Sequence, residues 1–177
     1  MEIVKLDDEL NQQLDQLFNL SAQIRGPFLE QAIFIERIID DIVSNHFCPD
    51  ETRRNFFFSL IMPEIVFFKK INIIKQLLKL HYPDLDIKYP KLNKELENII
   101  NFRNEIAHAM LDTSDEFMSK KYLDRIQFKS FKKGQTEPHE VTSEDIKEKL
   151  KDCTRIILML AKIQSEVKKR NLISEKE

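Results

Sequence analysis

Apolar residues recur every three or four positions over most of the chain, which is the spacing of one face of an α-helix. The first helical stretch covers residues 6–24 and the second covers residues 27–47. Gly26 and Pro27 lie where the two stretches meet. Because both residues disfavour the interior of a helix, we predict that one helix ends there and that another begins.

A third apolar stretch, residues 51–81, is long and contains a proline. Asp50 precedes it in a turn, where its side chain is placed to cap the N-terminus of the helix. Pro63 has no amide hydrogen to donate, so we predict a kink or a break close to it. Two Tyr-Pro pairs then bracket a predicted loop at residues 82–90.

Helical spacing returns at residues 91–111 and 143–170 but fails between these two stretches. Residues 125–132 alternate apolar and polar side chains, a glycine-containing turn follows, and residues 137–141 have the character of a return strand. We therefore predict a β-hairpin within an insertion at residues 114–141.

The whole pattern predicts an all-α fold, a helical bundle with a small β-hairpin insertion before the last helix. Thr142 and Asp145 give that last helix a capping-box start. Only two glycines and six prolines are present, which favours long helices with few connections. A chain of 177 residues suits one domain, so we predict that residues 1–177 form a single domain.

Charge and cysteine content narrow the class of protein. Lys and Arg number 28 against 30 Asp and Glu, so the net charge of −2 gives no overall attraction to nucleic acid. Cys48 and Cys153 lack the spacing of a zinc site or a disulfide framework, which favours reduced thiols. The first residues lack the regions of a signal peptide, and no apolar run is long enough to span a bilayer. We therefore predict a cytoplasmic protein with no membrane partner.

The predicted helix at residues 91–111 carries one charged residue on its apolar arc. The residues that share this arc are Leu92, Leu96, Ile99, Ile106, Ala107 and Met110. Arg103 falls near the middle of the arc, and a buried guanidinium is costly unless a carboxylate, a phosphate or a water-filled cleft receives it. Asn104 and His108 lie at the edge of the arc.

Two acids, Glu36 and Asp40, fall on the apolar arc of the predicted helix at residues 27–47. A carboxylate at a buried edge also needs a partner. Glu36 could pair with Arg103 if the two helices are neighbours. This pairing would make Arg103 a structural residue, and it is the alternative to a functional role.

The string Arg103-Asn104-Glu105-Ile106-Ala107-His108 resembles the signature of HEPN domains, in which Arg and His are separated by four residues and Asn directly follows Arg. In that family the motif lies on a late helix of an all-α, up-down bundle, and two copies meet in a homodimer. Active members are metal-independent endoribonucleases. The resemblance therefore implies a HEPN-like domain that binds RNA and requires neither a metal nor another cofactor.

RNA carries its own nucleophile, the 2′-hydroxyl, so cleavage needs a base, charge stabilisation and a proton for the leaving oxygen. By resemblance, His108 is the acid/base group, Arg103 holds the phosphate, and Asn104 orients the substrate or the histidine. The expected product is a 2′,3′-cyclic phosphate. The resemblance also implies a toxin–antitoxin or antiviral defence setting, with an antitoxin or a defence-system protein as a further partner.

Helix geometry favours a site shared by two copies of the chain. Arg103 and His108 are separated by about 140° around an ideal helix and by about 7.5 Å along it, so one copy presents a poor pocket. Two facing copies would line a common cleft. HEPN toxins that are silenced by a nucleotidyltransferase carry Tyr two residues after the His. Met110 stands there in this chain, so control by adenylylation is not expected.

Basic and aromatic residues elsewhere allow two interpretations each. The basic residues of the insertion, which could hold an RNA backbone or could form a solvated face, are Lys120, Lys121, Arg125, Lys129, Lys132 and Lys133. Lys69, Lys70, Lys75 and Lys79 are predicted to lie on the solvent side of a helix. The phenylalanines at 56–58 and 67–68 are predicted to form core or dimer contacts. The alternative overall function is a non-catalytic module that binds RNA, nucleotides or a protein.

Overall fold

The computed structural model describes residues 8–108, 110–114, 117, 125–132 and 135–174, which form mainly α-helices and a small antiparallel sheet. The elements in chain order are α1 (Asp8–Phe47), α2 (Glu51–Phe56), α3 (Phe67–His81), α4 (Pro83–Lys88), α5 (Leu92–His108), β1 (Met110–Leu111), β2 (Arg125–Lys132), β3 (Gln135–Thr142) and α6 (Ser143–Ser174). The chain is mostly helical, as the apolar spacing predicts.

Helix α1 is a single helix of 40 residues that runs through Gly26 and Pro27. The predicted helix boundary at these residues is therefore wrong. Gly26 and Pro27 are exposed, whereas Ile24 is 4% exposed and Phe28 is fully buried. Pro27 has no amide hydrogen to donate to the carbonyl one turn earlier, and water can hydrogen-bond that carbonyl instead. The buried residues on the other face of α1 stabilise the helix.

The predicted break near Pro63 is confirmed. Helix α2 continues into a π-helical segment, Phe57–Ile61, and then into a 3-10 turn, Met62–Glu64, before α3 begins. The predicted cap of α2 is also confirmed, because Asp50 Oδ1 accepts a hydrogen bond of 2.9 Å from the amide of Arg53.

Two boundaries around α4 and α5 differ from the predicted ones. The segment predicted as a loop at residues 82–90 contains the short helix α4, in which Pro83 occupies the first turn, where its missing amide hydrogen is not needed. Helix α5 ends at His108, three residues before the predicted end. Met110 and Leu111 instead pair with β2, and this backbone pairing carries no local sequence signal.

The predicted hairpin is confirmed by the antiparallel pairing of β2 with β3, from Arg125 opposite Thr142 to Lys132 opposite Gln135. Strand β1 adds to the other edge of β2, which gives the sheet order β1–β2–β3. Residues 133 and 134 of the predicted turn lie outside the described residues. Ile126 and Phe128 of β2 are fully buried, so the alternation in the sequence marks the face that enters the core.

The chain divides into two compact units, each with its own apolar core. The first unit comprises Met1–Leu29 and Arg103–Leu150, and its buried residues include Ile24, Phe28, Ile106, Ile126, Phe128, Val141 and Ile146. The second unit comprises Glu30–Phe102 and Lys151–Glu177, and its buried residues include Ile35, Ile39, Ile71, Ile74, Leu96, Ile99, Ile156 and Leu160.

A capping box holds the N-terminus of α6, as predicted. The Thr142 amide donates to Asp145 Oδ2 at 2.8 Å, and the Asp145 amide donates in return to Thr142 Oγ1 at 3.1 Å. The hydrogen bonds from the Thr142 amide and hydroxyl hold the pKa of Asp145 below its usual value.

We expect Asp145→Ala to lower the free energy of unfolding by about 1 kcal/mol at pH 7, because it removes the acceptor of this cap. A carboxyl whose pKa is lowered by folding stabilises the fold above its unfolded pKa of about 4, and the stabilisation disappears as the pH falls through the folded value. Urea unfolding at pH 7 and pH 3 should therefore show a difference between wild type and variant that shrinks in acid.

Glu148→Ala, at an exposed position one turn into α6, is the control for the loss of a negative charge. If both variants lose the same stability, or if the loss from Asp145→Ala is as large at pH 3 as at pH 7, the capping explanation is wrong.

Candidate functional site

Arg103, Asn104 and His108 lie on the last two turns of α5. Arg103 is half-buried, and Asn104 and His108 are exposed. The predicted burial of Arg103 on an apolar stripe is therefore wrong, as is the placement of Ala107 and Met110 on that stripe, because both are exposed. The residues that anchor α5 by their burial are Leu92, Leu96, Ile99, Ile100 and Ile106.

The Arg103 guanidinium is held by its neighbour in the motif. Its Nη1 donates a hydrogen bond of 3.0 Å to Asn104 Oδ1. Among the described residues, no carboxylate forms an ion pair with Arg103. A partly solvent-accessible cation without an acid partner has donors left for an anionic ligand, and the forked geometry of a guanidinium suits a phosphate group.

The structure gives Glu36 a different partner from the predicted one. Lys70 Nζ donates to Glu36 Oε1 at 2.7 Å and to Asp40 Oδ2 at 2.9 Å. Lys70 is only 2% exposed, so its predicted position on the solvent side of α3 is also wrong. The buried cation that the apolar pattern predicts on α5 is thus found on α3, where two acids of α1 neutralise it.

Burial raises the pKa of Asp40, against the opposing effect of Lys70. Asp40 Oδ1 is buried without a hydrogen-bond partner in the described part of the chain. Glu36, Asp40 and Lys70 are thus a structural ion cluster inside the second unit, and they leave Arg103 without its predicted structural role.

The hairpin contacts the motif helix through Glu105 and His139. The distance between Glu105 Oε1 and His139 Nδ1 is 3.6 Å, and both side chains are partly exposed. Glu105 lies between the predicted site residues Asn104 and His108, so this contact helps to fix the sheet beside the motif. The sequence does not predict this contact, because Glu105 and His139 are far apart along the chain.

Asp112 anchors the chain soon after α5 ends. Its carboxylate lies 2.7 Å from Lys129 Nζ and also accepts hydrogen bonds from the Ser114 amide and Gln127 Nε2. Burial opposes ionisation of this acid, but the bonds from Lys129 and Ser114 prevail and hold its pKa below the usual value. Nothing in the sequence next to Asp112 predicts its contacts with Lys129 and Gln127.

Two of the basic residues predicted to hold an RNA backbone are engaged within the sheet. Lys129 pairs with Asp112, and Arg125 Nη1 lies 3.5 Å from Glu140 Oε2. Lys120, Lys121 and Lys133 lie outside the described residues, and Lys132 is described only as part of strand β2. The described part of the insertion thus favours a paired, solvated strand face over a dedicated RNA-binding surface.

A cavity of about 680 Å³ lies in the second unit and contains none of the predicted site residues. It is lined by Asp41, Asn45, Pro49, Asp50, Glu51, Arg54, Asn55, Lys168 and Asn171. Some of its polar groups are engaged within the protein: Asp41 Oδ2 lies 2.9 Å from Lys168 Nζ and also accepts from Gln164 Nε2 at 2.6 Å.

Two histidines of the second unit lie together at the ends of α1 and α3. The ring centroids of His46 and His81 are 4.6 Å apart, and His46 Nδ1 lies 3.0 Å from the Tyr82 hydroxyl. Burial, and to a lesser degree His81, lowers the pKa of His46. In the described residues, no three His, Cys, Asp or Glu side chains cluster closely enough to hold a metal ion.

Comparison with protein-family models, curated proteins and solved structures finds no match for this chain. The functional assignment therefore depends on the residues of the candidate site and on the resemblance of its motif. None of the helices in the described part of the chain has both the length and the apolar composition that crossing a membrane requires.

Proposed function

We propose that this chain is a metal-independent endoribonuclease of the HEPN type, in which Arg103, Asn104 and His108 form the active site. The observation that carries the proposal is the accessible Arg103–Asn104 pair, which has no acid partner among the described residues, together with an exposed imidazole one turn further along α5. A structural arginine would instead be neutralised by a carboxylate, as Lys70 is.

The proposed reaction uses the 2′-hydroxyl of RNA as nucleophile. His108 accepts the hydroxyl proton as the 2′-oxygen attacks the adjacent phosphorus, and the bond from phosphorus to the 5′-oxygen breaks. The leaving oxygen takes a proton from a second imidazole or from water. Arg103 donates to the phosphate oxygens as charge accumulates on them, and Asn104 orients Arg103 through the observed hydrogen bond. The products are a 2′,3′-cyclic phosphate and a 5′-hydroxyl.

The proposal includes a homodimer in which two motif helices face each other. His108 lies five positions after Arg103, which corresponds to a rise of about 7.5 Å along one helix. The arginine and the imidazole of one copy therefore cannot surround a phosphate. Two copies related by a twofold axis would present two arginines and two imidazoles to the same RNA substrate. A toxin or antiviral setting in the cytoplasm, with an antitoxin or a defence-system protein as partner, follows from the resemblance alone and stays a prediction.

We expect the purified chain to cleave RNA in the presence of EDTA and to leave 2′,3′-cyclic phosphate ends. A matched substrate with 2′-O-methyl groups should remain intact, because the methyl group removes the nucleophile. Gel electrophoresis of end-labelled products, with and without acid hydrolysis of the cyclic phosphate, measures both results. Cleavage of the 2′-O-methyl substrate, or products with 3′-hydroxyl ends, would contradict the proposed chemistry.

A second candidate function is a non-catalytic module that binds a protein, RNA or a nucleotide. The pairing of Lys129 and Arg125 with acids of the sheet favours it, since these bases are then less available to an RNA backbone. The same experiment separates the two functions. Protein that is folded but inert toward a broad set of RNAs would support the module and reject the nuclease.

A further inference from the structure

Protonation of the leaving 5′-oxygen is the step of the proposed cleavage to which no residue has been assigned. His108 takes a proton from the 2′-hydroxyl on one side of the phosphorus, and the 5′-oxygen departs roughly in line on the opposite side. The acid for the 5′-oxygen is therefore a second group, which stands near the motif but apart from His108.

His139 of β3 is the second histidine of the first unit, and it lies against the motif helix. Its Nδ1 is 3.6 Å from Glu105 Oε1, and 43% of its side chain is exposed, so a substrate can reach the ring. Glu105 comes three positions before His108 on α5, and residues three apart on a helix are neighbours, with about 5–6 Å between their β-carbons. Glu105 thus has one histidine beside it on α5 and another across from it on β3.

The polar residues of the motif share one side of α5. At about 100° for each residue, Asn104, His108 and Glu105 fall within about 100° of one another around the helix. Arg103 starts from a different direction, but its Nη1 donates to Asn104 Oδ1 at 3.0 Å, so the guanidinium reaches toward the same side. The cation that would hold the phosphate, His108 and the Glu105–His139 pair therefore adjoin one side of the helix.

The pairing of β3 with β2 fixes the position of His139. His139 stands opposite Phe128 in the antiparallel register, and residues in opposite positions carry their side chains on the same face of a sheet. Phe128 is buried, and so are Ile126 and Val141 on that face. A side chain held on a packed strand is placed more precisely than one on a loop, which is what a positioned acid requires.

Glu105 determines which nitrogen of the His139 ring is available to a substrate. The carboxylate faces Nδ1, and Nε2 is on the other side of the imidazole ring. The contact is an ion pair when the ring is protonated, and the protonated ring has a proton on Nε2 to give. A carboxylate that orients an imidazole, which in turn exchanges a proton with the substrate, is a recurring catalytic arrangement.

We propose that His139 is the general acid of the cleavage and that Glu105 positions it. As the 2′-oxygen bonds to phosphorus and its proton passes to His108, the bond from phosphorus to the 5′-oxygen breaks, and Nε2 of His139 gives its proton to that oxygen. Proton exchange with water then restores both rings. This inference rests on the proposed nuclease function and deepens it, because the second imidazole comes from the hairpin of the same chain.

A purely structural ion pair on the same strand provides the matched control. Arg125 Nη1 lies 3.5 Å from Glu140 Oε2, and both side chains are partly exposed. Glu140 directly follows His139, so its side chain is on the opposite face of the sheet. Its contact resembles that of Glu105 with His139 in length and exposure but lies away from the motif, and Glu140→Gln should therefore leave cleavage unchanged.

The test uses two RNA substrates that differ in one atom. In the second substrate, sulfur replaces the 5′-oxygen at a bond that the wild type cuts. A thiol is much more acidic than an alcohol, so the thiolate leaves without being protonated and needs no general acid. We expect His139→Gln to slow cleavage of ordinary RNA by about 10²-fold or more, and cleavage of the sulfur substrate by less than about threefold. Glu105→Gln should show the same pattern with a smaller loss.

His108→Ala should be slow on both substrates, because the 2′-hydroxyl still needs a base. Circular dichroism should show that His139→Gln keeps its fold, and Glu105→Gln tests the same pair from α5. Equal losses of His139→Gln on the two substrates, a wild-type rate of this variant on ordinary RNA, or an equal loss in Glu140→Gln would overturn the role of His139 without touching the proposed function. A wild-type chain that cuts no RNA would overturn both.

Discussion

Replacing Lys70 with methionine is expected to lower the free energy of unfolding by about 3 kcal/mol or more, because the loss of one partner strands buried charge. Methionine nearly matches the length of the lysine side chain, so little of this loss comes from an empty space. The two carboxylates of Glu36 and Asp40 would face each other without the ammonium group that lies 2.7 Å and 2.9 Å from them. Urea unfolding at pH 7 measures the difference.

Lys69→Met is the matched control, since Lys69 is the adjacent residue and is exposed. Its effect should stay within about 0.5 kcal/mol. Adding Asp40→Asn to Lys70→Met should recover part of the lost stability, because the stranded charge is removed along with its partner. Equal effects of the two lysine substitutions would show that the buried cluster does not contribute as described.

The effect of Lys70→Met should also depend on pH. Burial already raises the pKa of Asp40, so this carboxyl stabilises the folded state most when it is protonated, below its unfolded pKa of about 4. That contribution is lost as the pH rises through the raised folded value. Without Lys70 the carboxylate is still harder to ionise, and the variant should therefore lose less stability at pH 4 than at pH 8.

Arg103→Ala and His108→Ala are each expected to reduce RNA cleavage by about 10²-fold or more, as is typical when a phosphate-binding cation or an acid/base group is removed. Arg103→Lys should retain only part of the activity, because an ammonium group keeps the charge but lacks the forked donors that bind Asn104 and a phosphate. Initial rates in EDTA, measured at the same protein concentration for every variant, provide the comparison.

Asn101→Ala serves as the control for these variants, because Asn101 is an exposed residue of the same helix two positions before Arg103. It should cleave RNA at close to the wild-type rate. The three active-site variants should keep the fold and the mass of the wild type, because the side chains they remove are exposed or half-buried. A wild-type rate in either alanine variant would exclude that residue from the proposed active site.

Helical periodicity predicts a buried cation at Arg103 and an exposed one at Lys70, but the structure has Lys70 buried and Arg103 half-buried. Both residues fall on apolar arcs, but an arc defines only a direction around a helix and not how deeply that direction is covered. A stronger indication of a buried cation lies in α1, where Glu36 and Asp40 are one turn apart on a face that is largely buried. In α3, Lys70 lies among Phe67, Ile71 and Ile74, which are all buried. A buried acid beside a half-buried one requires a cation on a neighbouring helix, and Lys70 supplies it.

Local interactions were predictable, whereas pairing between distant segments was not. The Asp50 cap, the capping box of Thr142 and Asp145, and the β2–β3 hairpin all join residues that are close along the chain. Strand β1 is different, because Met110 pairs with Lys129 and nothing in the short run Met110–Leu111 distinguishes a strand from the end of a helix. In the candidate site, the position of Arg103 on α5 was predictable, but its bond to Asn104 and the Glu105–His139 contact were not.

The uninterrupted course of α1 has a consequence for how this segment forms. Gly26 and Pro27 together disfavour a helix by about 4 kcal/mol relative to alanines, and nothing lies within 4 Å of a β-carbon placed on Gly26. The continuity of α1 there is imposed by the burial of Ile24 and Phe28. In a nascent chain that has not yet acquired these contacts, the same residues would separate two shorter helical segments. The break that the sequence indicates would thus apply to the polypeptide before its core assembles, and the packing of Ile24 and Phe28 would then make the helix continuous.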